Sequence, residues 1–250
     1  MLWCHRCLRD VEPKKIATPT FDGMLIVEYY CPKCGILLET RKEKLELPSR
    51  KMPVGGLYVA FEGIDGCGKT YHATRLVERL EKEGYEVVHV KEPWIKEIKK
   101  FLYEHKIDPD AEVYIFATDR IILQVEVVLP ALEEGKIVIS ERSIYASLSY
   151  QGAMGIPEEF IWAINRSIKV PDIVFLLDIS AEEAMLRLKR ERRRLTKYET
   201  LEFLRRVRER YLKIARKYKK SKFIVVDSTK DKEEVAKEIY EKLMELLEEY

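Results

Sequence analysis

Side-chain amides are almost missing from this chain: Gln124, Gln151 and Asn165 are the whole complement in 250 residues. A chain that avoids amides while 35% of its residues are charged has the composition expected of a hyperthermophile's protein. An excess of one charge is missing too. Lys and Arg number 45 against 43 Asp and Glu, a formal +2, which argues against a protein whose main task is coating nucleic acid. No run of 18 apolar residues occurs, so no transmembrane helix is expected. The opening Met1-Leu-Trp-Cys-His-Arg6 lacks a signal-peptide pattern. Cytoplasmic residence without a membrane partner is the expectation. The length suits one α/β domain of about 200 residues with a small module beside it.

What is present begins with Gly63-Ile-Asp-Gly-Cys-Gly-Lys-Thr70, which fits the G-x-x-x-x-G-K-[ST] phosphate-binding loop at every position. The apolar run Leu57-Tyr-Val-Ala-Phe61 precedes it, and Ala73, Leu76, Val77 and Leu80 follow at helical spacing. In that context Gly63, Gly66 and Gly68 let backbone N–H groups close around a phosphate, and the helix adds its positive end. Asp65, Gly66 and Cys67 lie within the loop; Cys67 reads as a small residue that fits there. Lys69 reaches the β- and γ-phosphates, and the Thr70 hydroxyl is placed for Mg²⁺ brought with ATP.

Four of the five cysteines fall as Cys4-x-x-Cys7 and Cys31-x-x-Cys34. Two such pairs present four thiolates to one tetrahedral ion, as structural zinc requires. Iron in the same site, or disulfides, are the alternatives. The expected unit, residues 1–47, resembles a zinc ribbon built on a hairpin from Phe21 to Tyr30 that turns at Asp22-Gly23. Such a unit is too small to bury its own core, so the metal supplies folding energy. Nine basic and seven acidic side chains in the first 50 residues give it no strong electrostatic footprint. The stretch Arg41 to Gly56 reads as the connection, with 48–56 as the linker proper and 57–250 as the second domain.

From Leu57 onward strand candidates at 57–62, 86–90, 136–141, 173–178 and 222–227 alternate with helical patterns. The helices fall near 69–83, 111–133, 157–167, 181–193, 199–219 and 231–248. This alternation predicts an α/β fold, a five-stranded parallel sheet with helices on both faces. Ligands collect at the strand ends of such sheets. Glu141, at the end of the third strand, is therefore expected to meet the Mg²⁺ shell. Helix 111–133 is apolar over much of its circumference and must be covered on several sides.

Four motifs in order resemble the thymidylate kinase family: Phe61-Glu-Gly-Ile-Asp-Gly-Cys-Gly-Lys-Thr70, Glu92-Pro93, Phe116-Ala-Thr-Asp-Arg120, and Glu141-Arg142 followed by Ser149-Tyr-Gln-Gly152. The likeness spans roughly 57 to 230 and implies the P-loop NTPase fold and ATP-dependent phosphorylation of a nucleoside monophosphate, dTMP to dTDP. It implies that Phe116 lies under the acceptor base, that Arg120 meets the base region, and that Arg142 grips the acceptor phosphate. Helical spacing alone favours a core residue at Phe116. The resemblance also places the sugar 3′-hydroxyl on Asp65, lines the acceptor pocket with Glu92, Pro93, Tyr150 and Gln151, and packs a homodimer across the helix at 111–133. The basic segment Leu186 to Arg194 resembles the mobile lid. Since the loop has Gly66 where some relatives carry the catalytic arginine, Arg190, Arg192 and Arg194 take that role, with Arg190 near the adenine.

Three features depart from the family pattern. Trp94-Ile-Lys96 stands where Gly-Gly-Thr is usual, Glu141 stands for an aspartate, and the ribbon is additional. They leave open a kinase for another nucleotide or small phosphate acceptor. They also leave open a nucleotide-regulated binding protein whose ribbon contacts nucleic acid or protein.

Overall fold

The computed structural model describes residues 1–19, 24–44, 55–191, 198 and 200–247. The chain divides into two compact units, Met1–Lys51 and Met52–Tyr250.

In the first unit β1 (Leu2–Cys4) pairs antiparallel with β2 (Arg9–Val11), while β3 (Lys14–Pro19), β4 (Met24–Tyr30) and β5 (Leu37–Lys44) make an antiparallel sheet in that order. Each CxxC pair sits in a turn that follows a strand. In the second turn the Gly35 N–H donates to Cys31 O at 2.9 Å and the Cys31 N–H to Ile36 O at 2.8 Å. That turn needs φ +71° at residue 35, a left-handed value that glycine adopts without cost. The expected turn at Asp22-Gly23 and linker residues 48–54 lie outside the described residues. The connection begins later than Arg41, because Arg41 is paired with Val27 inside the sheet and β5 continues to Lys44.

The second unit contains β6 (Leu57–Glu62), α1 (Lys69–Lys82), β7 (Val87–Lys91), α2 (Lys96–Glu104) and α3 (Pro109–Leu123). A π-helical turn (Gln124–Val128) joins α3 to α4 (Leu129–Glu133), so the helix expected at 111–133 is one stretch with a π insertion. After it come β8 (Ile137–Glu141), α5 (Ile144–Ala153), α6 (Glu158–Ile164), β9 (Ile173–Asp178), α7 (Ala181–Glu191), α8 (Leu201–Lys217), β10 (Lys222–Asp227) and α9 (Lys232–Leu247). The sheet is parallel throughout, in the order β10-β9-β6-β8-β7. It is the five-stranded sheet that the alternation predicts. Successive side chains of β8 enter different apolar clusters: Ile137 and Ile139 join one, Val138 the other. Period-two alternation puts those clusters on opposite faces of the sheet, which is why the strands read as unbroken apolar runs.

Two helices escape the periodicity reading. Every residue of α5 is buried, so it shows no polar face to mark a 3.6-residue period. The nine-residue α2 is short, and its first turn follows directly on the Glu92-Pro93 motif. Among the described residues no helix is long and apolar enough to cross a membrane.

Candidate active site

The C-terminal ends of β6, β7 and β8 gather the predicted site. Gly66 has φ +86°, and a Cβ there would lie 2.7 Å from the Ala184 carbonyl oxygen of α7. The close packing of α7 leaves no room for a side chain at 66. Lys69, only 8% exposed, donates to Gly63 O (2.8 Å) and Ile64 O (2.9 Å) and lies 3.7 Å from the Asp65 carboxylate. Burial pushes the Cys67 thiol up, away from the thiolate form.

Thr70 donates its hydroxyl hydrogen to Glu141. Lys91 Nζ donates to both, at 2.9 Å to Thr70 Oγ1 and 2.7 Å to Glu141 Oε2, and His89 Nε2 is 3.4 Å from the other carboxylate oxygen. Burial works to raise the Glu141 carboxyl, but His89, Lys91 and Thr70 outweigh it and hold it at about 2. An ionised carboxylate beside a hydroxyl is a hard oxygen donor pair suited to Mg²⁺.

Arg142 follows β8 with φ +78°, a left-handed conformation unusual for a side chain of this size, and its N–H donates to Phe61 O at 3.0 Å. The guanidinium is ion-paired with Asp65 and stands 5.0 Å from the centre of the Tyr150 ring. Tyr150 in turn accepts the Asp65 N–H through its hydroxyl at 3.1 Å. Beneath them Glu62 is wholly buried and accepts from Ser143 (2.6 Å) and Tyr211 (2.7 Å). Ser143 also caps α5, so one buried carboxylate fixes both the turn that carries Arg142 and the helix that carries Tyr150 and Gln151.

Two clefts open from this point. One is lined by the phosphate loop, Lys91, Glu141 and Arg187; the other by Phe116, Arg120, Tyr150, Gln151 and Tyr198. Asp65, Glu92, Pro93, Tyr103 and Arg142 line both. Phe116 is half-buried and faces the second cleft. Gln151 is buried there, and its Oε1 has no partner among the described residues. Arg120 also borders this cleft, yet its N–H groups are committed to protein. They meet both Glu92 oxygens at 2.7–3.0 Å, Asn165 Oδ1 at 2.7 Å, Ser147 Oγ at 3.0 Å and Ser143 O at 3.2 Å. Trp94-Ile95, the departure after Glu92-Pro93, is held by Asp119, whose carboxylate accepts both N–H groups at 2.8 Å.

Of the basic run, Arg190 is exposed on α7 and lines neither cleft, while Arg192 and Arg194 lie outside the described residues. Arg187, one turn before Arg190, reaches the first cleft and donates to Ser228 O at 2.9 Å. Sequence reading places Lys91 at the end of the second strand, with Glu92-Pro93, and Arg187 within the basic run, but gives neither a role. It passed over Lys99, which lines the first cleft, and Tyr198, which lines the second, because both lie outside the motifs quoted.

A family model for thymidylate kinase matches residues 61–239. The chain is 37% identical over 196 residues to the "Probable thymidylate kinase" of Thermococcus kodakarensis, an alignment covering 73% of this chain and 95% of that protein. It is 37% identical to the "Probable thymidylate kinase" of Pyrococcus abyssi, covering 74% and 94%. To the "Thymidylate kinase" of a Thermoanaerobacter species it is 36% identical, covering 74% and 95%. The chain belongs to the thymidylate kinase family. The part matched by the thymidylate kinase model begins after the cysteine unit, which therefore stands outside the family match.

In this thymidylate kinase relative the Glu92–Arg120 pair is almost inaccessible, 3% and 1% exposed. Burial pushes the Glu92 carboxyl up and Arg120 draws it back. Arg120→Met strands a buried carboxylate, for which a loss of about 3–5 kcal/mol is expected. Chemical denaturation measures it, and adding Glu92→Gln should restore part of the loss. A loss below about 1 kcal/mol would mean that water reaches the pair.

The four cysteine Sγ atoms lie within 4.8 Å of one another, with Cys4–Cys34 at 3.5 Å and Cys7–Cys31 at 3.8 Å. A tetrahedron of sulfurs around an ion at about 2.3 Å has edges of about 3.8 Å, so the donor set fits a metal such as zinc.

Proposed function

We propose that this chain transfers the γ-phosphoryl group of ATP to a nucleoside monophosphate, most specifically dTMP, giving dTDP. The observation that carries the reading is the shared wall of the two clefts. Asp65 and Arg142 stand where a nucleotide in the phosphate-loop cleft and one in the Phe116–Tyr150 cleft would bring their phosphates together. Gln151 supports a pyrimidine with an N3–H, since its partnerless Oε1 needs a donor. Phe116 offers the base an aromatic face.

The acceptor phosphate is already an anion, so no general base is required. Lys69 neutralises charge on the transferred group, and Arg142 orients the acceptor phosphate with its planar fork. Further arginines come from the basic run, with Arg190, Arg192 and Arg194 as the candidates, Arg190 near the adenine, and Arg187 beside them because it lines the phosphate-loop cleft. Thr70 and Glu141 would hold Mg²⁺, which would supply charge stabilisation on the phosphates of ATP. Asp65 accepts the sugar 3′-hydroxyl once Arg142 turns to the acceptor phosphate.

The test is coupled ADP release with Mg²⁺-ATP and a panel of mononucleotides at elevated temperature. ADP release confined to dTMP is expected. A preference for another mononucleotide would contradict the dTMP assignment, and silence across the panel would remove the reading.

Zinc is the proposed ion of the four-cysteine site. A homodimer across α3 is proposed because Ile115, Ile121, Ile122 and Leu129 remain only half-buried and Val125 is exposed along that stretch. Light scattering at micromolar concentration should give twice the chain mass; a monomer would contradict it.

A further inference from the structure

We propose that the Lys91 ammonium holds the metal position of the phosphate site before nucleotide binds, so that a divalent ion enters effectively only together with ATP. The inference rests on the reading of Thr70 and Glu141 as the metal-side ligands. Lys91 is the residue directly opposite Glu141 in the β7–β8 pairing, so the sheet register itself puts the ammonium and the carboxylate side by side. The Nζ atom donates to the same two oxygens, Thr70 Oγ1 at 2.9 Å and Glu141 Oε2 at 2.7 Å, that a metal ion would take. Thr70 closes the triangle by donating to Glu141. His89, two residues back on the same strand face, meets the remaining carboxylate oxygen.

The two side chains differ in burial. Glu141 is 4% exposed and needs a counter-charge close by, whereas Lys91 is 46% exposed and can swing into the cleft that it lines with Lys69. A divalent ion arriving alone must displace the ammonium and leave it without an anion, or sit beside it and meet its repulsion. ATP changes that balance, because its phosphates give Lys91 a new partner as the ion takes Thr70 and Glu141. Metal and nucleotide binding are therefore coupled through Lys91, a positioning residue, and each tightens the other by the same factor.

The experiment measures binding of Mn²⁺ alone, and of Mn²⁺ with ATP, by electron paramagnetic resonance on the full chain. Lys91→Gln should bind Mn²⁺ without nucleotide on the order of tenfold or more tighter than the wild type, and the coupling to ATP should fall correspondingly. Lys91→Arg keeps the cation and should bind Mn²⁺ alone as weakly as the wild type. Adding Glu141→Gln to Lys91→Gln should abolish the gain. Unchanged Mn²⁺ affinity in Lys91→Gln overturns the proposal, as does a gain that survives the loss of Glu141. Lys91→Met is a second neutral variant should Lys91→Gln fold poorly. The readout needs neither an acceptor nor turnover, so a chain that proved silent as a kinase would still decide this point.

Discussion

Lys69→Ala is expected to lower kcat for ADP release by about 10³-fold or more, with a much smaller change in the fold. Lys69 is the one cation among loop residues 63–70, and in the proposed reaction it neutralises charge on the transferred group. Its present hydrogen bonds to Gly63 O and Ile64 O show how the loop holds it. Two backbone acceptors lose a partner in the variant, but the loop borders an open cleft, so water can replace it at a cost of about 1–2 kcal/mol. A thermal melt run beside the coupled assay separates the two effects. A kcat within about tenfold of the wild type, with the melt unchanged, would move charge neutralisation away from this side chain and onto the lid.

Removal of the metal is the second large effect. Elemental analysis should find one zinc per chain, and chelation should unfold residues 1–44 while leaving the second unit intact. The first unit has a small core of its own: Cys4, Val11 and Cys31 are its buried cluster, with Cys7, Cys34 and Leu38 packed against them. Four of those six residues are the thiols themselves. Cys4–Cys34 and Cys7–Cys31 stand 3.5 and 3.8 Å apart, a spacing at which thiolates repel unless an ion lies between them. Structural zinc contributes about 10–16 kcal/mol in small domains, more than such a cluster can replace. Hydrogen exchange reads the outcome locally. Protection in β1 to β5 should vanish with chelator, and protection in β6, β8 and β9 should persist, because those strands are buried in a separate apolar core. Metal-free protein that keeps its protection in β4 would refute the structural role of the ion.

How much of this was legible in the chain differs from element to element. The loop at Gly63–Thr70 could be read because phosphate binding needs glycines, a lysine and a hydroxyl at fixed local spacing. The four cysteines could be read for the same reason, since two short turns fix each pair. Strands β6 and β8 were legible because burial on both faces leaves unbroken apolar runs. By contrast α5 could not be seen: buried on all sides, it shows no period, although it carries Tyr150 and Gln151. The role of Arg120 was only half legible. Its motif points to the base region, while its guanidinium spends its donors on Glu92, Asn165, Ser147 and Ser143, partners 23 to 45 residues away in the chain.

The sequence by itself determined the phosphate loop, the cysteine quartet and the alternation of strand and helix, since each depends on residues near one another in the chain. Tertiary structure alone decided that Lys91 faces Glu141 across β7 and β8, that α7 closes over Gly66, and that Asp65 and Arg142 stand between two clefts. Those contacts join strands and helices distant in sequence. They are set by sheet register and by helix packing, neither of which leaves a local pattern in the chain.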